Sequence, residues 1–155
     1  MQGFVIQVYL LAASLLYCSS GYLSDQVKRF LGPEMIAVLS EPDKVETYEV
    51  KGQRNKEATN RIADFEIITK TRELRVIEIT RLQKKLLAES TFRFNQRKRC
   101  AFVPSKAFRF IKGDKKVDVL LCFGCREVMF AYKGDQRIED FDDEEKFFRD
   151  FVDKI

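Results

Sequence analysis

Three short segments in the last third of the chain alternate apolar and polar residues, and this pattern constrains the fold more than any other feature. They cover residues 107–112, 117–123 and 128–132, with turn residues at Gly113 and near Gly124. Successive side chains of a strand point to opposite faces, so a two-residue period predicts strands. Because the connections are short, we expect the three strands to form an antiparallel meander with one strongly apolar face.

The second face of this meander is partly apolar as well. Ala107, Ile111, Leu120 and Cys122 fall on that side of their strands. A strand that is apolar on both faces is typical of a sheet covered on both sides. We therefore expect helices on one face of the sheet and another layer, or a partner, on the other.

The rest of the chain predicts further strands and at least two helices. Residues 35–39, 45–50 and 65–69 are short apolar runs of the kind that form strands. Residues 73–89 carry apolar side chains at spacings typical of a helix that packs on a sheet. The chain ends on a second helical stripe, made of Phe147, Phe148, Phe151, Val152 and Ile155. The predicted fold class is α+β, with a two-layer, mostly antiparallel sheet of about five or six strands packed by two or three helices.

An apolar, almost uncharged run at residues 4–16 leads to Cys18. The run is shorter than the roughly 20 residues that span a bilayer as a helix, but it suits the apolar part of a signal peptide. Leu15, Leu16, Tyr17 and Cys18 resemble the lipobox of bacterial lipoproteins, in the looser form found in spirochaetes. The resemblance implies export, a lipid on Cys18 and a protein anchored to a membrane of the cell envelope, periplasmic or surface-exposed.

This interpretation divides the chain into three parts. Residues 1–18 would be the signal peptide and lipobox, residues 19–33 a tether with a short helix, and residues 34–155 a single globular α+β domain. Two alternatives stay open for the N-terminus. One is ordinary cleavage near Ser20 without a lipid, and the other is a buried helix or a different anchor.

A second pattern begins with Cys100, Phe102 and Pro104 and continues in V-D-V-L-L-C-F-G-C at residues 117–125. It resembles a family of small bacterial proteins of uncharacterised role, in which a cysteine and a proline precede a strand of the form V-D-L-L-I-C-F-x-C. The resemblance covers about the last third of the chain. It supports the predicted strands and implies no activity, cofactor or partner.

The sequence contains no histidine. This excludes Ser-His-Asp and Cys-His catalysis as well as imidazole ligands for a metal. Carboxylates crowd into residues 139–145, where we expect a solvated stretch without the apolar pocket that an acid–base pair needs. We therefore predict no catalytic residues, no metal and no cofactor, and a protein that is not an enzyme.

Cys100, Cys122 and Cys125 are the clustered residues with the most distinctive chemistry. In an exported protein whose Cys18 carries lipid, we expect one disulfide, between Cys100 and either Cys122 or Cys125. Free cysteines packed as small apolar side chains fit the pattern equally well. A zinc site would need a fourth ligand from water, Asp118 or a partner, and a thioredoxin-like pair would begin a helix rather than end a strand.

Positive charge concentrates in residues 84–116, and negative charge in residues 135–155. The predicted basic surface consists of Arg97, Lys98, Arg99, Lys106, Arg109, Lys112, Lys115 and Lys116. On an exported protein such a surface suits anionic lipid, acidic glycan or an acidic protein surface, and not nucleic acid. The alternative is that these side chains are the solvent side of strands whose phenylalanines form the core.

Two classes of function follow from the sequence. The first is a membrane-anchored envelope lipoprotein that acts as a non-enzymatic binding or interaction module with a basic surface. The alternative is a soluble intracellular domain that binds metal or performs thiol redox chemistry through Cys100, Cys122 and Cys125. The compartment in which the protein resides separates the two.

Overall fold

The computed structural model describes residues 23–96 and 98–155 of the 155-residue chain. The predicted signal peptide, Cys18 and Arg97 lie outside these ranges. The helices and strands are, in chain order, α1 (Asp25–Ser40), β1 (Lys44–Arg54), β2 (Arg61–Ile62), β3 (Phe65–Glu73), α2 (Val76–Leu86), β4 (Lys106–Lys112), β5 (Lys115–Cys122), β6 (Glu127–Tyr132), β7 (Asp135–Asp140) and α3 (Glu145–Val152). Within these ranges, no helix has the length and apolar character needed to cross a bilayer.

The strands form one antiparallel sheet in the order β2-β3-β1-β4-β5-β6-β7. The sheet curls into a half-barrel. Side chains bridge the curl: Arg54 at the end of β1 donates from Nη1 to Gln136 Oε1 on β7 at 3.0 Å, and Gln136 donates from Nε2 to Asp64 Oδ2 at 2.9 Å. We call the face that these bridges span the concave face, and the face that carries the helices the helix face.

The predicted meander is confirmed as β4, β5 and β6. Phe108 pairs with Val119, and Val119 pairs with Phe130, so these three side chains share one face. All three are buried in the core between the sheet and the helices. The α+β class and the mostly antiparallel sheet are also confirmed, although the sheet has seven strands rather than five or six.

The additional strand in the C-terminal half is β7, and its last two residues belong to the stretch at residues 139–145 that we expected to be solvated. Its sequence is acidic, but its backbone pairs along β6 from Tyr132↔Asp135 to Glu127↔Asp140. Asp140 is only 2% exposed. An edge strand needs little apolar sequence of its own, because its backbone is held by the buried neighbour β6.

The prediction of a strand at residues 35–39 is wrong. These residues form the second half of α1, which kinks at Gly32, where φ is +72°. Met35, Val38 and Leu39 are buried, and they continue the helical spacing of Val27 and Leu31. Pro33 follows the kink at the first position of the second half, where its missing N–H costs no hydrogen bond.

The first half of α1 is part of the core rather than a tether. Ser24 caps the helix by accepting a hydrogen bond from the Val27 N–H at 3.2 Å. Val27 and Leu31 are at most 1% exposed and pack with the sheet and the other helices. The folded domain therefore extends to the N-terminal side of residue 34.

The other two helices lie where the apolar stripes predicted them. Leu82 and Leu86 of α2 and Phe148 and Phe151 of α3 are buried against the helix face. α2 covers residues 76–86 of the predicted range 73–89, because residues 65–73 belong to β3. Because α1, α2 and α3 all pack on the helix face, they do not cover the concave face of the sheet.

Candidate functional site on the concave face

Strand pairing arranges the concave face as three successive rows of side chains. The first row contains Glu46, Arg109, Asp118, Ala131 and Gln136. The second row is mostly apolar and contains Tyr48, Ala107, Leu120, Met129 and Ile138. The third row contains Cys122, Glu127 and Asp140. Charged side chains therefore lie at the two ends of the face, with an apolar centre between them.

Glu46 organises the first row. Its carboxylate accepts hydrogen bonds from Lys70 Nζ at 2.7 Å, Tyr48 Oη at 2.6 Å and Lys44 Nζ at 2.9 Å. Burial alone would raise the pKa of Glu46, but the hydrogen bonds from Lys70, Tyr48 and Lys44 outweigh it and lower the pKa to about 2. Glu46 is therefore ionised and saturated with donors at neutral pH.

Arg109 and Asp118 form a two-pronged ion pair beside Glu46. Arg109 Nε and Nη2 donate to the two oxygens of Asp118 at 2.7 and 2.9 Å. The guanidinium also lies 5.7 Å from the centre of the Tyr48 ring. Burial, followed by the hydrogen bond to Glu46, raises the pKa of Tyr48 to about 12. The phenol stays protonated at neutral pH and acts as a donor.

The third row is acidic and lies beside the segment that enters β4. Lys98 Nζ is 2.7 Å from Asp140 Oδ2, 2.6 Å from Asp142 Oδ1 and 2.8 Å from the carbonyl oxygen of Cys125. Glu127 pairs with Asp140 across β6 and β7, and its side chain is 9% exposed. This end of the face therefore carries an excess of carboxylates around one ammonium group.

A disulfide holds the segment that borders this acidic row. The predicted bridge is confirmed as Cys100–Cys125, with 5.9 Å between the Cα atoms. Cys122 is a free, buried cysteine, and its Sγ accepts hydrogen bonds from the backbone N–H groups of Val103 and Cys125. Closing a loop of 25 residues would stabilise the fold by roughly 3 kcal/mol.

The disulfide ties the segment before β4 to the turn between β5 and β6. The segment first passes the edge of the sheet, where Arg93 N–H donates to the Asp140 carbonyl at 3.1 Å. It then enters β4 after Ser105 N–H donates to the Leu121 carbonyl at 3.2 Å. The segment therefore wraps around one end of the sheet and places Phe102 against the apolar cluster of the concave face.

Four of the predicted basic residues form ion pairs with carboxylates: Lys98, Lys106, Arg109 and Lys112. Lys106 pairs with Glu49 at 2.7 Å, and Lys112 pairs with Glu41 at 2.7 Å. Arg109 and Lys98 belong to the two ends of the concave face described above. Among the described members of the set, Arg99, Lys115 and Lys116 are exposed and form no ion pair.

Several residues of the concave face were missed by the sequence analysis. Glu46, Tyr48 and Glu127 were not singled out, although each is an inward-pointing polar residue in a strand. Asp118 was considered only as a possible zinc ligand. A detectable signal was present, since a charged residue between apolar neighbours, as in V-D-V at residues 117–119, needs a partner when the strand is buried on both faces.

In the ranges that the structure covers, no group of three or more Cys, Asp or Glu side chains has the geometry of a metal site. In the first row, Arg109 and Asp118 form an ion pair with each other, and Glu46 accepts hydrogen bonds from Lys44, Tyr48 and Lys70. Comparison with protein-family models, with curated proteins and with solved structures finds no match to this chain.

Proposed function

We propose that this protein is a non-enzymatic binding module of a bacterial cell envelope, exported and held at a membrane by a lipid on Cys18. The observation that supports export is the Cys100–Cys125 disulfide. Disulfides persist in oxidising compartments such as the periplasm and the cell surface, and they are rare in the cytosol. With Cys100 and Cys125 bonded to each other, the three thiols of the alternative metal site are not available together.

The fixed ion pairs support a binding role over an enzymatic one. A general acid or base exchanges its proton during the reaction, and its pKa lies near the working pH. Glu46 instead has three donors, and Asp118 is held by both prongs of Arg109. These groups stabilise the curled sheet, and they leave its rims and its acidic end for recognition.

The membrane anchor is tested by Cys18→Ser in the full chain. The variant should leave the membrane fraction and appear in the soluble fraction, because the lipid supplies the hold on the bilayer. Mass spectrometry of the native N-terminus should find acylated Cys18 in the unmodified protein. Retention of the variant on membranes, or a cytosolic protein with free thiols and stoichiometric zinc, would contradict the proposal.

The part of the basic surface proposed to contact anionic lipid is formed by Lys115 and Lys116, which lie exposed at the start of β5. We expect Lys115→Glu with Lys116→Glu to weaken co-sedimentation of the Cys18→Ser protein with anionic phospholipid vesicles by about thirtyfold or more, since each of the two basic residues near such a surface contributes about 1 kcal/mol. Binding of the parent should fall as salt increases. Lys84→Glu with Lys154→Glu is the matched control, because it makes the same charge change at other exposed lysines. Equal losses in the two double variants would show a general charge effect and count against this surface.

A further inference from the structure

A cleft at the acidic end of the concave face has the composition of a recognition pocket. It lies between the segment that carries the disulfide and the paired ends of β6 and β7, and its volume is about 400 Å³. Phe94, Phe102 and Ile138 provide apolar walls, and Glu127 and Asp140 provide carboxylates. Ile138 is 40% exposed, so part of its apolar side chain is accessible to a ligand.

Asp140 and Glu127 both have carboxylate oxygens in this cleft that lack a hydrogen-bond donor among the described residues. Asp140 Oδ2 is one of these oxygens, although it forms an ion pair with Lys98. Glu127 is nine-tenths buried and has no ion pair with a described residue. Burial is the main cause that raises the pKa of Glu127, and the charges of Asp140, Glu139 and Asp142 raise it further. A buried carboxylate without donors is costly, and a bound cation would satisfy it.

Lys98 lies nearby but cannot fill this role. The positive charge of Lys98 lowers the pKa of Glu127, but it does not cancel the increase caused by burial and the neighbouring carboxylates. Its ammonium group is already in contact with Asp140, Asp142 and the Cys125 carbonyl. Two of its three donors form hydrogen bonds with Asp142 and the Cys125 carbonyl, and the ammonium group also forms an ion pair with Asp140. Among the described residues that line the cleft, Glu127, Glu139 and Asp140 are acidic and Lys98 is basic, so these residues carry an excess of negative charge.

The walls favour a guanidinium group over a compact ammonium group. A guanidinium is planar and weakly hydrated, stacks on aromatic faces and meets a carboxylate with two parallel hydrogen bonds. Phe94 and Phe102 are both half-buried in the walls of the cleft. We propose that this cleft binds an arginine side chain of a partner polypeptide, with Glu127 as its carboxylate and Phe94 and Phe102 as its apolar walls.

The disulfide fixes one wall of this site. Cys100 lines the cleft, and its bond to Cys125 secures the segment that carries Phe102 to the end of β5. Because the disulfide fixes this wall before a ligand binds, less conformational entropy is lost on binding. The proposed site contains neither Cys18 nor the lysines at the start of β5, so it can be tested independently of the function proposed above.

The test uses the full-length, oxidised Cys18→Ser chain and a blocked pentapeptide with one central arginine among glycines. Titration followed by NMR should shift the backbone signals of Glu127 and Ile138. Glu127→Gln keeps the shape of the side chain and removes its charge, and it should weaken binding about tenfold or more. Glu57→Gln is the matched control, since Glu57 is exposed in the loop before β2, and it should bind like the parent.

Two further ligands separate the alternatives. The same peptide with citrulline in place of arginine should lose a similar factor, because citrulline has nearly the same shape but no charge. Blocked single arginine should bind no more tightly than the peptide. Equal binding of the arginine and citrulline peptides, unchanged affinity in Glu127→Gln, binding of single arginine with exclusion of the peptide, or no shift at Glu127 throughout the millimolar range would each overturn the proposal.

Discussion

Replacing Phe148 by alanine is expected to lower the free energy of unfolding by about 3–5 kcal/mol. Phe148 has no exposed surface, and its ring centre lies 4.8 Å from that of Phe141 and 5.3 Å from that of Phe147. The loss combines the transfer of the ring out of water with the cavity that its removal leaves. A loss of this size is a large part of the stability of an ordinary domain.

Urea denaturation at neutral pH measures this effect, with circular dichroism as the probe. Phe147→Ala is the matched control, because Phe147 lies one position earlier on α3 and is only partly buried. We expect the Phe147 variant to lose clearly less stability, about 1–2 kcal/mol, because water already reaches part of its ring. If the two variants lost equal stability, α3 would not dock on the sheet as described.

The strands and helices with a regular apolar period are predictable from the sequence, because the apolar residues of each period lie on one buried side of the element. Val117, Val119 and Leu121 recur at every second position because these side chains of β5 lie on the helix face of the sheet, in the core. Phe148 and Phe151 recur at helical spacing because α3 has one buried side. In each case the local pattern and the tertiary environment agree.

The secondary-structure predictions were wrong where a short segment is compatible with more than one secondary structure. Residues 35–39 are an apolar run that suits either a strand or a buried helix, and only the continuation from Val27 and Leu31 across Gly32 shows the helical period. β7 was missed for the opposite reason. Its acidic residues carry no strand signal, and its backbone is ordered by pairing with β6, a long-range effect that local propensity does not record.

The candidate site was only partly predictable for the same reason. The sequence indicated that Cys100 would pair with one of two cysteines, but the choice of Cys125 depends on how the segment before β4 wraps the sheet. Glu127 gives no local signal for its burial, because its environment is built from β7 and from Phe94, Lys98 and Phe102, which are distant in sequence. Arg109 was expected on a basic surface, and its partner becomes evident only from the pairing of β4 with β5.

The Arg109–Asp118 pair gives the second large effect. Arg109→Met should lower the free energy of unfolding by about 3 kcal/mol, because it leaves the Asp118 carboxylate buried without its two donors. The side chains of Arg109 and Asp118 are only 19% and 12% exposed, so water replaces little of the lost interaction. The methionine keeps much of the volume of the arginine stem, so the loss reflects the charge rather than a cavity.

A double-mutant cycle separates the pair from the packing around it. Asp118→Leu alone leaves Arg109 without its partner and should also destabilise, whereas Arg109→Met with Asp118→Leu should recover most of the loss, because two apolar side chains of similar size need no donors. Urea denaturation of the four proteins at pH 7 gives the coupling free energy. Lys106→Met is the matched control, since Lys106 on the same strand pairs with the exposed Glu49, and its loss should stay below about 1 kcal/mol. Additive losses from the two single variants would contradict this account, because they would mean that Arg109 and Asp118 stabilise the concave face independently of each other.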